Sequence, residues 1–333
     1  MKLEKGGEQN SSGRLLIITY HYIRKSGGPY PGIHPVSDSD LSQQLDMLRQ
    51  VYHPASVTEV SDFAKGIQPL ERDSFFITFD DGLQDHYVKG KEVLNKHGIH
   101  GAFFVPTRPQ HNKRAPAVHK VHWLRANTEP TRFIELLNTL LPKRWANLQL
   151  SEQQRKQATE MHIHDEPEVQ TLKFALNFVI PYEVVDDVTT KMLLANGTSE
   201  EEFCKMTFMD AQQIHEIEAE GHVVGMHGHE HVPLSSFDKR QLDDDISTNA
   251  NQLYKMLGHY PKWLSYPYGR PDAIPNDPYG LCSRHNIDAA FTLISGFNEY
   301  GQNNATLKRI TPNELIKYVE PKNQGSSLQL NNN

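Results

Sequence analysis

The amino-acid sequence predicts an α/β protein: a distorted (β/α) barrel of about seven strands with a helical insertion, a doubly wound sheet being the alternative arrangement of the same elements. Three observations carry that prediction. Short apolar runs recur along the chain, each followed by an amphipathic segment. Acidic and histidine-rich clusters stand directly after two of those runs, where the C-terminal strand ends of such a sheet gather chemistry. Between residues 107 and 208 the alternation lapses, and charged helical segments replace the strand signals.

Taken in order, Leu15–Tyr20 reads as the first strand. Ser37 or Asp38 caps a helix to about Val51, with Leu41, Leu45 and Leu48 along one face. A weak strand near Ala55–Val57 precedes Thr58, which can cap a short helix ending near Gly66. Ser74–Phe79 is a buried strand, Asp85–His97 a helix closed by Gly98, and Gly101–Val105 the next strand. Within the insertion, helices are expected over Thr131–Leu141, Ser151–Met161 and Glu166–Ile180. Alternation resumes where Asp210 caps a helix to Glu220, followed by Gly221 and a strand at His222–Met226. Asp238 opens a long helix to Leu257, stopped by Gly258. Lys262–Tyr266 and Ala289–Leu293 are further strands, and Leu307–Ile310 is read as the last.

With 333 residues, the chain exceeds the usual size of one core, so a large domain with an insertion is expected. The barrel is assigned to 14–312, interrupted by 107–208; the Asn-, Gln- and Ser-rich residues 322–333 read as a disordered tail. A formal charge of −7 weighs against a nucleic-acid partner. Only Cys204 and Cys282 occur and no CxxC pair is present, which removes zinc fingers and thioredoxin-like chemistry. The polar N-terminus lacks the apolar stretch of a signal peptide, and Leu15–Ile18 is too short to span a bilayer. A cytoplasmic, non-membrane-spanning protein is the expectation.

The first cluster is Thr78-Phe79-Asp80-Asp81-Gly82, after the buried strand. Adjacent carboxylates at a strand end repel and lose solvation, which a divalent cation offsets; a solvated Asp-Asp-Gly turn is the alternative. The second is His227-Gly228-His229-Glu230-His231, in which His227 and His231 are spaced to converge on one metal. If the loop were extended, His229 would share their face and could replace a ligand; a His-rich surface loop is the bland reading. One carboxylate with two imidazoles is a catalytic zinc set, and the pairing is more specific than either half. The third segment, Ser265-Tyr266-Pro267-Tyr268-Gly269-Arg270, makes a rigid turn that can aim the Tyr268 backbone N–H at an oxyanion, although such turns are also plain punctuation. His119 and His122 read as helix-surface histidines, with the pocket mouth as the alternative.

These segments, in this order, resemble the polysaccharide deacetylase family, the NodB-homology domains of carbohydrate esterase family 4. The resemblance covers roughly 14–106 and 209–312 and implies a hydrolase that removes an N-acetyl group from an amino sugar. It implies Asp80 as catalytic base and Asp81, His227 and His231 as ligands of a divalent metal. Zn²⁺ is the expected ion, with Co²⁺, Ni²⁺ or Fe²⁺ as alternatives. The Pro-Tyr-Gly turn matches Pro267, Tyr268 and Gly269.

Ser265 and Tyr266 stand where many members carry an Arg, and neither an Asp-x-x-Asp-Trp segment nor a C-terminal Leu-x-His is present. Tyr20-His21 is similar to the N-terminal segment of poly-N-acetylglucosamine deacetylases, which implies His21 as the general acid; a strand-end histidine with a packing role is the alternative. Arg309 can pair with Asp80 in place of the missing Arg, with Arg270 as a rival and a plain surface salt bridge as the commoner fate of either. The expected partner is an N-acylated amino sugar, glycan or nucleotide sugar. The competing readings are the same machinery on another acyl group, such as formyl, and a non-catalytic carbohydrate-binding domain on the same fold.

Overall fold

A computed structural model describes residues 12–146, 149–161 and 167–320; the tail at 322–333 lies outside them. Strand β1 (Leu15–Tyr20) leads to helix α1 (Asp38–Val51), whose cap is Ser37: its hydroxyl accepts from the Asp40 N–H at 3.0 Å. Leu41, Leu45 and Leu48 are the buried face of α1, as their spacing predicts. The weak strand is displaced: β2 is His53–Pro54, and α2 (Val57–Ala64) starts one residue before the expected Thr58 cap. Ser56 takes that role because Glu59 completes a reciprocal capping box with it, satisfying two helix-end donors at once.

After β3 (Ser74–Phe79), the helix expected at Asp85–His97 opens with a wide π-helical turn at His86–Gly90 and becomes α-helical only as α3 (Lys91–Lys96). Asp85 does not cap it. Its carboxylate instead accepts from Arg24 Nε at 2.6 Å and the Ile23 N–H at 3.1 Å, tying the loop after β3 to the loop after β1.

From β4 (Gly101–Val105) the chain enters, among the described residues, eight α-helices interrupted by a π-helical turn at Ala175–Val179. These are α4 (Arg108–Asn112), α5 (Ala117–Asn127), α6 (Pro130–Leu140), α7 (Lys143–Ala146), α8 (Glu152–Met161), α9 (Pro167–Phe174), α10 (Tyr182–Ala195) and α11 (Glu200–Thr207). They have a core of their own, including Leu124, Phe133, Leu137, Leu193 and Phe203. Lys120 and Asp186, both buried, form an ion pair at 2.7 Å that locks α5 to α10. The chain returns through α12 (Ala211–Ala219), β5 (Val223–Met226), α13 (Lys239–Leu257), β6 (Trp263–Ser265), α14 (Pro278–Arg284) and β7 (Ala289–Phe291), and α15 (Ile316–Val319) follows. Among the described residues, no helix is long and apolar enough to cross a membrane.

Among the described residues, seven strands pair in parallel. The order is β1-β3-β4-β5-β6-β7, with β2 against the first two residues of β3. The expected last strand, Leu307–Ile310, is not a ladder strand. It is an extended segment bridging Leu307 to Phe291 of β7 and Ile310 to Ile18 of β1, which joins the two edges of the curled sheet. Inside the curl, alternate residues such as Leu15, Ile17, Phe76, Phe104, Trp263 and Phe291 form one core. The opposite faces, Leu16, Ile18, Phe75 and Ile77 among them, pack with apolar residues of α1, α3, α12 and α13. The inner row, followed to the end of β6 and one residue past the ends of β1, β3 and β5, holds Ser265, His21, Asp80 and His227.

Candidate active site

Asp80 and Asp81 follow β3 at a turn that reverses their environments. Asp81 and Gly82 adopt left-handed backbone, φ 83° and 62°. Asp80 continues the inner row and meets Arg309: Nη1 donates to Oδ1 at 2.8 Å and Nη2 to Oδ2 at 2.7 Å. The Ser265 hydroxyl donates to Oδ2 at 3.1 Å and accepts from Arg309 Nη2 at 2.8 Å. Arg309 is itself 1% exposed and also donates to Thr19, Thr78 and the Thr292 carbonyl. Burial pushes the Asp80 carboxyl upward, but the guanidinium beside it prevails and holds it at about 2. Arg270, the rival, pairs with Asp272 instead.

Asp81 points the other way, into a ring of imidazoles. Its Oδ1 lies 3.2 Å from His227 Nε2 and 2.9 Å from His231 Nε2, and one ligand atom from each of the three residues falls within 4.8 Å of the others. His227 Nδ1 lies 2.7 Å from the Ser265 carbonyl, which can only accept, so Nδ1 carries hydrogen and Nε2 is left to face Asp81. Holding the far ring nitrogen in this way is how metal-ligating histidines are oriented. His231 is placed by another left-handed residue, φ 55°. A buried oxygen and two buried nitrogens converging on one point suit a divalent cation with a position left for water, so the donor set fits a metal. Burial raises the Asp81 carboxyl, and the neighbouring His119 and His21 outweigh it, leaving it well below the ordinary carboxylate range.

The loop from His227 to His231 is pinned from α13. The Asn249 side chain accepts from the His227 N–H at 3.0 Å and donates to the Val105 carbonyl. Asp245, one helical turn earlier, accepts the N–H groups of His229 at 2.8 Å and Glu230 at 2.9 Å. Burial pushes Asp245 up to about 6. Both residues escaped the sequence reading; the signal was two polar side chains on the apolar Leu242–Ile246–Leu253 face of that helix. His229 does not join the metal-facing set. It turns its Nδ1 to Thr107 Oγ1 at 2.9 Å, and Glu230 reaches Arg108 at 3.2 Å.

Tyr268 is the third left-handed non-glycine residue here, φ 64°, and its ring lies 5.5 Å from that of His231. Backbone strain of this kind concentrates where surrounding structure enforces a geometry. His21 follows β1 directly, with its side chain 42% exposed and Nε2 3.9 Å from Asp81 Oδ2. Its carbonyl accepts from His86 Nε2 at 2.8 Å. The helix-surface reading of His119 is corrected: it is 1% exposed and faces Asp81 Oδ2 at 3.4 Å, because α5 packs over the strand ends rather than on solvent. His122 lies on the same side of α5, its Nδ1 3.3 Å from the Tyr22 hydroxyl, and burial holds it well below the usual histidine range. Beside Tyr268 opens a groove of about 770 Å³, walled by Phe178 and Tyr182 from the inserted segment and by Val232 and Asp272 from the barrel loops.

Fold and site together define a (β/α)-barrel protein with a buried Asp-His-His centre and a clamped second carboxylate at its strand ends. The family model described as polysaccharide deacetylase matches residues 189–277, which include His227, His231 and the Pro267–Gly269 turn. That match spans less than half of the chain, and within it the sequence is similar to the polysaccharide deacetylase family. No curated protein matches the sequence. Among solved structures, IcaB from Ammonifex degensii is similar at 18% identity and TM-score 0.55, covering 93% of this chain and 97% of that one. The Streptococcus pyogenes deacetylase PplD, determined with acetate, is similar at 15% identity and TM-score 0.57 over 93% and 100%. The deacetylase domain of BpsB from Bordetella bronchiseptica is similar at 14% identity and TM-score 0.52 over 92% and 98%. At these identities the structures speak for the fold.

Proposed function

We propose that this protein is a metal-dependent N-deacetylase acting on an acetylated amino sugar, in a glycan or a glycan precursor such as a nucleotide sugar, and releasing acetate. The observation that carries the reading is the pair of adjacent, oppositely directed carboxylates: Asp81 facing His227 and His231, and Asp80 clamped by Arg309. A binding module has little use for a metal set with an ionised carboxylate held beside it. Asp81, His227 and His231 would hold the ion, and mixed nitrogen and oxygen donors suit Zn²⁺. When bound, the metal polarises the acyl carbonyl and lowers the pKa of water toward about 7.

The remaining chemistry belongs to the chain. Asp80, kept ionised and fixed by Arg309 and Ser265, accepts the proton of the attacking water. The Tyr268 backbone N–H donates to the oxyanion of the tetrahedral intermediate. His21, exposed enough to meet substrate and anchored through its carbonyl by His86, delivers a proton to the leaving amine nitrogen. The amide C–N bond then breaks, giving acetate and a free amino sugar. The groove beside Tyr268 is the place for the sugar, with Phe178 and Tyr182 offering aromatic faces.

The deciding experiment measures bound metal in the purified protein together with acetate release from N-acetylated oligosaccharides and nucleotide sugars. Acetate release that stops with chelator and returns with Zn²⁺ supports the reading. Bound metal with formate rather than acetate released would move the activity to another acyl group. A chain that takes up no divalent metal would overturn the site.

A further inference from the structure

Two further imidazoles face Asp81, both on the Oδ2 side, opposite the Oδ1 that meets His227 and His231. They are unlike each other. His21 is open to solvent, whereas His119 is buried and comes from α5, in the helical insertion rather than the barrel. His119 Nδ1 lies 2.7 Å from the Tyr22 hydroxyl. The same hydroxyl lies 3.3 Å from His122 Nδ1, so its single hydrogen is better placed for His119. Burial holds the Tyr22 phenol far above its ordinary value, so it keeps that hydrogen. A hydroxyl donating to Nδ1 leaves the ring hydrogen on Nε2. That Nε2 has no hydrogen-bond partner at normal distance, and the group before it, 3.4 Å away, is Asp81 Oδ2.

The helix that carries His119 is held firmly. The next residue, Lys120, is fully buried and donates to Asp186 Oδ1 at 2.7 Å, Thr190 Oγ1 at 2.7 Å and Glu200 Oε1 at 2.9 Å, on α10 and α11. The Phe208 ring meets the His119 ring edge-on at 5.3 Å. A side chain fixed this tightly, with one nitrogen satisfied and the other aimed at a carboxylate, is suited to orienting that carboxylate.

We infer that His119 is a positioning residue of the metal centre. Through Nε2–H it holds Oδ2 of Asp81, so that Oδ1 is the oxygen presented between His227 and His231. The inference rests on the metal reading proposed above. It makes the helical insertion part of a centre whose ligands all come from the barrel.

The test is zinc affinity of the full chain, measured by competition with a chromophoric chelator. Loss of a hydrogen-bond partner behind a metal ligand weakens binding by about 10- to 100-fold. His119→Leu is expected to show that loss. His119→Gln, whose side-chain amide can still donate, is expected to recover most of it. Tyr22→Phe, which removes one hydroxyl, is expected to fall between wild type and His119→Leu and serves if the leucine variant does not fold. Wild-type affinity in a folded His119→Leu protein overturns the inference, as does a His119→Gln protein that binds zinc no better than His119→Leu. If the wild-type chain itself binds no zinc, the metal reading fails first, and the inference with it.

Discussion

Replacing Arg309 with Met tests the clamp on Asp80 directly. The guanidinium is buried, makes two bonds to Asp80 at 2.8 and 2.7 Å, and is the charge that outweighs the burial of that carboxyl. Methionine is of similar volume but neutral, so Asp80 is left as an uncompensated buried charge, which costs about 3–5 kcal/mol. The variant can relieve part of that cost by protonating Asp80, because burial is then opposed only by His227 and His21, but a protonated Asp80 cannot accept a proton from water. Loss of a positioned base costs about 10²- to 10⁴-fold in rate. Acetate release at pH 7 should therefore fall at least ~100-fold and recover partly as pH rises.

The sign of the stability change is also fixed. In the wild type, Asp80 sits at about 2, below its ordinary value. It therefore contributes stability above the unfolded carboxylate pKa and loses it as pH falls from about 4 toward 2. In the Arg309→Met protein the carboxyl should move up from that position, so the stability it loses between about pH 4 and 2 should shrink or change sign. Urea titrations should show the two proteins diverging between about pH 3 and 7. Adding Asp80→Asn to Arg309→Met should regain much of the lost stability, since no buried charge remains, while activity stays lost. Arg309→Met with kcat/KM within about threefold of wild type would refute the clamp as a requirement of the reaction.

Three other outcomes are expected. Asp80→Asn should retain bound zinc while turnover drops at least ~100-fold, whereas Asp81→Asn should lose metal and activity together; elemental analysis beside the acetate assay separates them. His21→Ala should lower kcat by about 10²-fold with zinc content unchanged, and the loss should shrink for substrates with a better leaving group, because less protonation of the nitrogen is needed. Asp245, held up at about 6 by burial, favours its protonated form in the folded state. Wild-type stability should accordingly decline from about pH 4 to 6 by its contribution, and denaturation of Asp245→Asn should lack that component.

Much of the site was legible in the sequence because strand periodicity and local motifs carry it. Alternation along β1, β3, β5 and β6 puts His21, Asp80, His227 and Ser265 on one inner row, and the Gly82, Gly228 and Gly269 turns mark where each strand ends. The run from Thr78 to Gly82 and the spacing of His227 and His231 pointed, before any coordinates, to the Asp81, His227 and His231 cluster that the structure brings together. Tertiary structure decided the choices that depend on distant parts of the chain. Whether Arg309 or Arg270 meets Asp80 depends on a segment 229 residues away crossing from β7 to β1, and no local pattern encodes that crossing. That Asp80 and Asp81 point in opposite directions follows from a left-handed backbone at Asp81. The polar face of α13 looks like an ordinary helix flank until the His227 loop is docked on Asp245 and Asn249. The sequence could place His119 on a helix, but its burial depends on how eight helices pack over a barrel. Packing of that kind is set by the shape of both surfaces together, and the residues on either one do not specify it alone.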